Sequence, residues 1–281
     1  MDLLELLSDI VIYGSSDLVG NKKISPKTRK RILVVFIIVS LCHIGISAFC
    51  IFWAIKDKSI ILLILGILCI LLFIYNAFKT IEKYKEAQQM NKEIIKDFFD
   101  NLAPRWDNEP IADKEIIDTI LDNGGIKENV AVLDVACGTG VLFPYYLQRN
   151  VKDITAVDLS PEMVKIAKSK FPQADIICGD AETITFDRQF DTVMIYNAFP
   201  HFPEPEKVIE NLAKAIKPNG RISIAHGMSK KDLDEIHKKS AGKVSNPLPE
   251  CEELASLLSR WFNVDIMISN EKMYQVSGTK K

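Results

Sequence analysis

Three carboxylates and two glycines in this chain fall at spacings that can do chemistry together. In Val132-Leu133-Asp134-Val135-Ala136-Cys137-Gly138-Thr139-Gly140, an apolar run that reads as a strand feeds a glycine-rich turn and then a helical stretch, Val141–Arg149. Gly138 and Gly140 allow the backbone to turn tightly and approach a ligand closely. Asp158 comes eighteen residues after Gly140, at the end of a second β-rich run, where a carboxylate can accept hydrogen bonds from both hydroxyls of a ribose. Gly179-Asp180-Ala181 closes a third such run and puts Asp180 on the same edge, within reach of an adenine amino group.

Two features turn this constellation away from a nicotinamide dinucleotide. The third glycine of G-x-G-x-x-G would fall on Phe143, which is too bulky for close helix packing. Asp134, at the mouth of the first strand, would repel a pyrophosphate, whereas it suits a ligand bearing an ammonium and a sulfonium. Ser160-Pro161 after Asp158 reads as an N-cap followed by proline at the first helical position.

These residues need a parallel sheet to hold them. From about Asn129 short β-rich runs alternate with amphipathic stretches of helix length, which predicts an α/β fold with helices on both sheet faces. The expected strands are Val130–Val135, Asp153–Asp158, Ala174–Cys178, Asp191–Tyr196 and Arg221–Ala225. Two more, Val264–Ile268 and Met273–Ser277, have no helical stretch between them and read as a hairpin.

The first third of the chain is of another kind. Ile32–Ile55 and Ser59–Phe78 carry no Lys, Arg, Asp or Glu. Each is long enough to span, since about 20 apolar residues in a helix cover about 30 Å of hydrocarbon. Lys22, Lys23, Lys27, Arg29, Lys30 and Arg31 precede the first run, and Lys79, Lys83 and Lys85 follow the second. The positive-inside rule then predicts a helical hairpin whose Lys56–Lys58 turn faces outward, with both ends in the cytoplasm. His43 is the one titratable imidazole in these runs and lacks an acidic partner there. Leu3, Leu4, Leu6, Leu7, Ile10 and Val11 predict a short amphipathic helix ahead of the hairpin, and Lys79–Phe99 a helix behind it.

The six cysteines form no C-x-x-C pair or disulfide-scaffold spacing and read as reduced. A net charge of −2 and a pI near 6.1 give no global case for binding nucleic acid.

With these motifs in place, the sequence resembles the class I S-adenosylmethionine-dependent methyltransferases, and within them the UbiE-like small-molecule methylases. The resemblance runs from about Phe98 to the C-terminus, through Asp134–Gly140, Asp158, Asp180-Ala181, Phe190-Asp191 to Asn197-Ala198, and Lys217-Pro218-Asn219-Gly220-Arg221 as the turn into the fifth strand. Phe98-Phe99-Asp100 and Trp106-Asp107 look like that group's N-terminal lid, with Trp106 where Tyr is usual. It implies a seven-stranded Rossmann-like sheet whose last strand is antiparallel. It also implies cofactor contacts at Asp134, Ala136, Gly138, Gly140, Asp158, Leu159, Met163, Asp180, Ala181 and Asn197. Of these, Asp134 and the glycines would serve the methionine end, Asp158 the ribose, Leu159 and Met163 the adenine ring, and Asp180 its amino group. Ala136 departs from the glycine that many relatives carry.

The expected organisation is an amphipathic and basic segment over 1–31, two transmembrane helices over 32–78, a helical linker and lid over 79–107, and a methyltransferase domain over 108–281. The expected activity is transfer of the methyl group of S-adenosylmethionine to a small, lipophilic acceptor at a membrane, the catalytic domain being cytoplasmic. The alternatives are a tethered cofactor-binding regulatory module and a methylase of a soluble small molecule or metalloid.

Methyl transfer from a sulfonium is an in-line displacement that orientation and desolvation can drive. A base is needed only where the acceptor must lose a proton, and His201 and His226 are the candidates, both at strand ends, ahead of His237 in the following helix. No metal site is expected, because His226, His237 and Cys251 share no ligand spacing. A nucleic-acid acceptor is disfavoured, since Asn197-Ala198-Phe199-Pro200 lacks the Pro-Pro-aromatic form of amino-methylating DNA enzymes. Nothing in the sequence sets the oligomeric state.

Overall fold

The computed structural model describes residues 15–20, 26–108, 113–242 and 244–281. The chain divides into two compact units, Met1–Glu93 and Ile94–Lys281. The amphipathic helix expected over Leu3–Val11 lies outside the described residues.

The first unit holds helix α1 (Ser15–Gly20), helix α2 (Pro26–Lys56) and most of helix α3 (Ile60–Leu102). α2 and α3 are long and apolar enough to cross a membrane. Ile60, Ile61 and Phe78 are more than 70% exposed, so α3 turns large apolar side chains outward. The turn between the two helices closes on Lys58, whose φ is 54°. His43 stacks on Phe73 at 4.6 Å between ring centres, which gives the imidazole a packing role between the helices. The apolar run and the helix expected behind it are one continuous element: nothing between Phe78 and Phe99 breaks a helix, because the change from apolar to Lys- and Glu-rich residues alters the surroundings and leaves the backbone preference intact.

The second unit is built on a seven-stranded sheet in the order β3-β2-β1-β4-β5-β7-β6. The strands are β1 (Ala131–Val135), β2 (Asp153–Asp158), β3 (Asp175–Cys178), β4 (Phe190–Tyr196), β5 (Ile216–His226), β6 (Phe262–Ser269) and β7 (Tyr274–Lys280). β1 to β5 run parallel, while β7 pairs antiparallel with both β5 and β6, as the terminal hairpin required.

Alternation along β1 divides the core. Ala131, Leu133 and Val135 join one cluster with helix α7 (Pro205–Ala215), and Val132 joins the other with helices α4 (Lys114–Asn123), α5 (Phe143–Gln148) and α6 (Pro161–Lys170). Every residue of β1 is buried, as a central parallel strand covered on both faces must be. Helices α8 (Lys230–Ile236) and α9 (Cys251–Leu258) come after β5.

Lys217–Gly220, expected as a turn ahead of the fifth strand, lies within β5. The register jumps there from Phe190↔Ile216 to Thr192↔Arg221, and Asn219 takes a φ of 61°. The chain still bends, but Ile216 has already begun pairing with β4. Asp191 reinforces that junction, accepting the Ala131 N–H at 2.8 Å and Lys217 Nζ at 2.9 Å.

Candidate functional site

The strand order reverses at β1, where open α/β sheets bind ligands beyond the carboxyl ends of their strands. Asp134 to Gly140, Asp158, Asp180 and Asn197 all lie at that edge, at the ends of β1, β2, β3 and β4.

The loop after β1 owes its shape to three left-handed residues, Ala136 (φ 56°), Gly138 (φ 56°) and Gly140 (φ 84°). A Cβ on Gly140 would stand 2.9 Å from the Phe171 ring, so packing as well as φ demands glycine there. Ala136 adopts the left-handed conformation without being glycine, at a cost of roughly 1–2 kcal/mol. Its N–H donates to Val157 O at 2.7 Å, which ties the loop to β2.

Asp158 locks the loop from the other side. Its Oδ2 accepts the Gly138 N–H at 2.8 Å and its Oδ1 the Ser160 N–H at 2.9 Å. A carboxylate has about four acceptor sites, so each oxygen keeps capacity for a ligand hydroxyl. Burial pushes the Asp158 carboxyl up to about 6, against the pull of those two backbone donors. Asp134 is buried and receives the Tyr146 hydroxyl at 3.1 Å. Burial raises it further, to about 7, so this group exchanges a proton near neutrality and would be drawn into its ionised form by a cation.

Ser160 caps α6 as expected, accepting the Met163 N–H at 3.1 Å, with Pro161 at the first helical position. Met163 is buried beneath this cap. Leu159, by contrast, packs on the cluster of Ile95, Ala241 and Val244, beside Phe98 and Phe99 of α3. Asp180 accepts the Glu182 N–H at 2.9 Å in a tight turn, and Ala181 is buried, its carbonyl held by Asn211 at 3.0 Å. Asn197 (φ 53°) bridges two strand ends, its N–H bonding Ala225 O at 2.9 Å and its side-chain oxygen accepting the Gly227 N–H at 3.0 Å.

Of the three histidines in this unit, His201 and His237 come together. Their rings lie 5.0 Å apart, and Phe99 of α3 meets His201 edge-on at 4.9 Å. His201 is oriented by Val244 O at 2.9 Å from Nδ1, with Ser245 Oγ at 3.1 Å, which leaves Nε2 as its free face. Burial pushes it down to about 4, against the pull of Val244. His226 is fully buried, neither of its ring nitrogens has a partner, and burial drives it down to about 3. An imidazole in that state is neutral and carries one donor and one acceptor. Cys251 bonds Ile268 O at 3.4 Å, and among the described residues no three His, Cys, Asp or Glu side chains are grouped to hold a metal.

Contacts from the end of α3 and the segment Ala103–Asn108 to the site have no sequence signal. The side chains of Asp100 and Asp107 both reach it or its neighbours, across sequence separations for which no local pattern exists.

Comparison with known proteins agrees with this geometry. Residues 133–224 match the family described as "Methyltransferase domain". A malonyl-acyl-carrier-protein O-methyltransferase of Priestia megaterium is 30% identical over 57% of this chain and 62% of its own. A demethylmenaquinone methyltransferase of Paenarthrobacter aurescens is 34% identical over 45% of this chain and 52% of its own. The chain thus spans about half to three fifths of the length of these curated relatives. The crystal structure of magnesium protoporphyrin IX methyltransferase from Synechocystis PCC 6803 covers 68% of this chain and 100% of its own at 18% identity, with a TM-score of 0.53, and shows the shared fold. The matched segment runs from β1 to β5 and so contains the loop after β1, Asp158, Asp180 and Asn197.

Proposed function

We propose that this protein is a membrane-anchored methyltransferase that moves the methyl group of S-adenosylmethionine to a small, lipophilic acceptor. The observation that carries the reading is the junction at Asp158, whose two oxygens fix the glycine loop and the α6 cap while retaining acceptor capacity toward a ribose. Three left-handed residues in a row of five and a carboxylate poised near neutrality fit the methionine end of the same molecule.

When bound, S-adenosylmethionine supplies an electrophilic methyl group on sulfur. The protein's part is to hold and orient. Asp158 would take the ribose hydroxyls, Asp134 would face the cationic end, Met163 would pack on the adenine ring, and Asp180 would take its amino group. His201 and His226 would be the candidate partners of a hydroxyl acceptor, and because burial keeps both neutral each would accept a hydrogen bond from it, His201 through Nε2.

The two apolar helices support the membrane reading. Their basic flanks, Lys30 and Arg31 before and Lys79, Lys83 and Lys85 after, favour a cytoplasmic catalytic domain. Tethering confines the pocket to the bilayer surface, where an apolar acceptor concentrates. The relative from Paenarthrobacter, named for demethylmenaquinone, agrees with such an acceptor.

The test supplies radiolabelled S-adenosylmethionine to the full chain in liposomes, with membrane-lipid extract and soluble metabolites as separate arms. Label in the lipid fraction is expected. Label confined to soluble metabolites, or reporter fusions placing the C-terminus outside, would remove the lipophilic-acceptor reading.

A further inference from the structure

Two sets of hydrogen bonds, joined through the backbone, run around the rim of the proposed cofactor site, and each has one member in the lid. Thr139 is fully buried between the two glycines, and its hydroxyl donates to Asp107 Oδ1 at 2.6 Å. Lys170, at the far end of α6, reaches both oxygens of Asp107 at 2.9 Å. Next to Thr139, the Gly138 N–H donates to Asp158, and Asp158 also accepts the Ser160 N–H. The Ser160 hydroxyl then donates to Asp100 Oδ1, which further accepts the Glu162 N–H at 3.3 Å. Asp100 and Asp107 stand on the same short stretch, the last turn of α3 and the adjoining short helical segment Ala103–Asn108.

The lid is therefore fastened at two points, one on the glycine loop and one on the α6 cap, with Asp158 between them. Between the two fastenings, Trp106 lies across the loop: its Nε1 is 3.5 Å from where a Cβ on Gly138 would stand. Phe99 supports that ring edge-on at 5.9 Å.

Both lid carboxylates are held ionised in this closed form. For Asp100, partial burial is outweighed by hydrogen bonds from Lys96, Ser160 and Glu162, and for Asp107 by those from Thr139 and Lys170, so both lie below the usual carboxylate range. Charge-assisted bonds of this kind are among the stronger ones a surface segment can make.

We propose that Asp100 and Asp107 are positioning residues forming a two-point latch, and that cofactor and its demethylated product leave only when the latch opens. The proposal rests on the cofactor assignment made above and deepens it. Thr139 belongs to the glycine loop and Ser160 to the α6 cap that Asp158 joins to it, so a bound ligand that orders this junction also orders the lid's anchoring points.

The experiment uses the full chain in detergent micelles and S-adenosylhomocysteine as probe, with dissociation followed by stopped-flow displacement. Asp107→Asn and Asp100→Asn should each raise the dissociation rate constant about tenfold and change the association rate constant less than threefold, and the double variant should exceed either. Thr139→Val, which removes only the donor, should reproduce Asp107→Asn and add nothing to it. In hydrogen exchange, residues 94–108 should gain protection on ligand binding in the parent chain and lose that gain in the double variant. Unchanged dissociation in variants that melt within a few degrees of the parent would overturn the latch and leave the cofactor assignment standing. No probe binding by the parent chain would remove the assignment itself.

Discussion

Asp158 and Gly138, twenty residues apart, are joined by a 2.8 Å hydrogen bond from the Gly138 N–H to the Asp158 carboxylate, which makes the second strand's terminal acid a structural brace for the first strand's loop. The same side chain is the proposed ribose ligand, so its removal has two costs. It loses a ligand acceptor and it frees the loop.

Asp134 sets a pH dependence whose sign can be worked out. Its carboxyl is raised from 3.8 to about 7, chiefly by burial. The folded state therefore binds more protons than the unfolded one across that window. The stability it contributes is full below the unfolded pKa and is lost as pH rises through about 7. Asp134→Asn, which keeps the Tyr146 contact, should gain stability relative to the parent between about pH 4 and about pH 8. Affinity for the cationic S-adenosylmethionine should rise over the same range in the parent and stay flat in the variant. Urea melts and calorimetry at several pH values would show it, and parallel curves for the two proteins would count against it.

The glycine loop makes a paired prediction. Gly140→Ala meets both a φ of 84° and the Phe171 ring, and should cost about 1–3 kcal/mol of stability. Ala136→Gly relieves a left-handed alanine at φ 56°, partly offset by the entropy of glycine, and should lie within about 1 kcal/mol of the parent. Denaturant midpoints would separate the two, and equal losses at both sites would contradict the loop conformation.

Much of this architecture was legible because local chemistry and global fold agree. Ser160-Pro161 could be read as a cap and a first helical residue because both requirements are local. The alternation of β runs with helical stretches gave the five parallel strands, and the missing helix after Val264–Ile268 gave the antiparallel hairpin. The bulge that places Lys217–Gly220 inside β5 was hidden, because Pro218 and Gly220 look like any turn until pairing with Phe190 is known. Asp191 as the clamp on Ala131, and Gln275 as the bridge from Ser223 to Ile120 O, depend on contacts between distant segments. The latch at Asp100 and Asp107 is of the same kind. The resemblance marked the lid residues, but only the folded chain brings Thr139 and Ser160 to them. Likewise, the sequence placed His201 and His226 at strand ends. The complete burial of His226, and the fixing of His201 by Val244 and Ser245 beyond the π-helical turn His237–Ala241, come from segments far along the chain.

The measurement that bears most directly on the central claim is calorimetric titration of the full chain in detergent with S-adenosylhomocysteine and, separately, with NAD. One-site binding of S-adenosylhomocysteine is expected, weakened tenfold or more in Asp158→Ala, because hydrogen bonds to a charged acceptor are worth about 1.5–3 kcal/mol. Failure to bind S-adenosylhomocysteine, or tighter binding of NAD, would contradict the account.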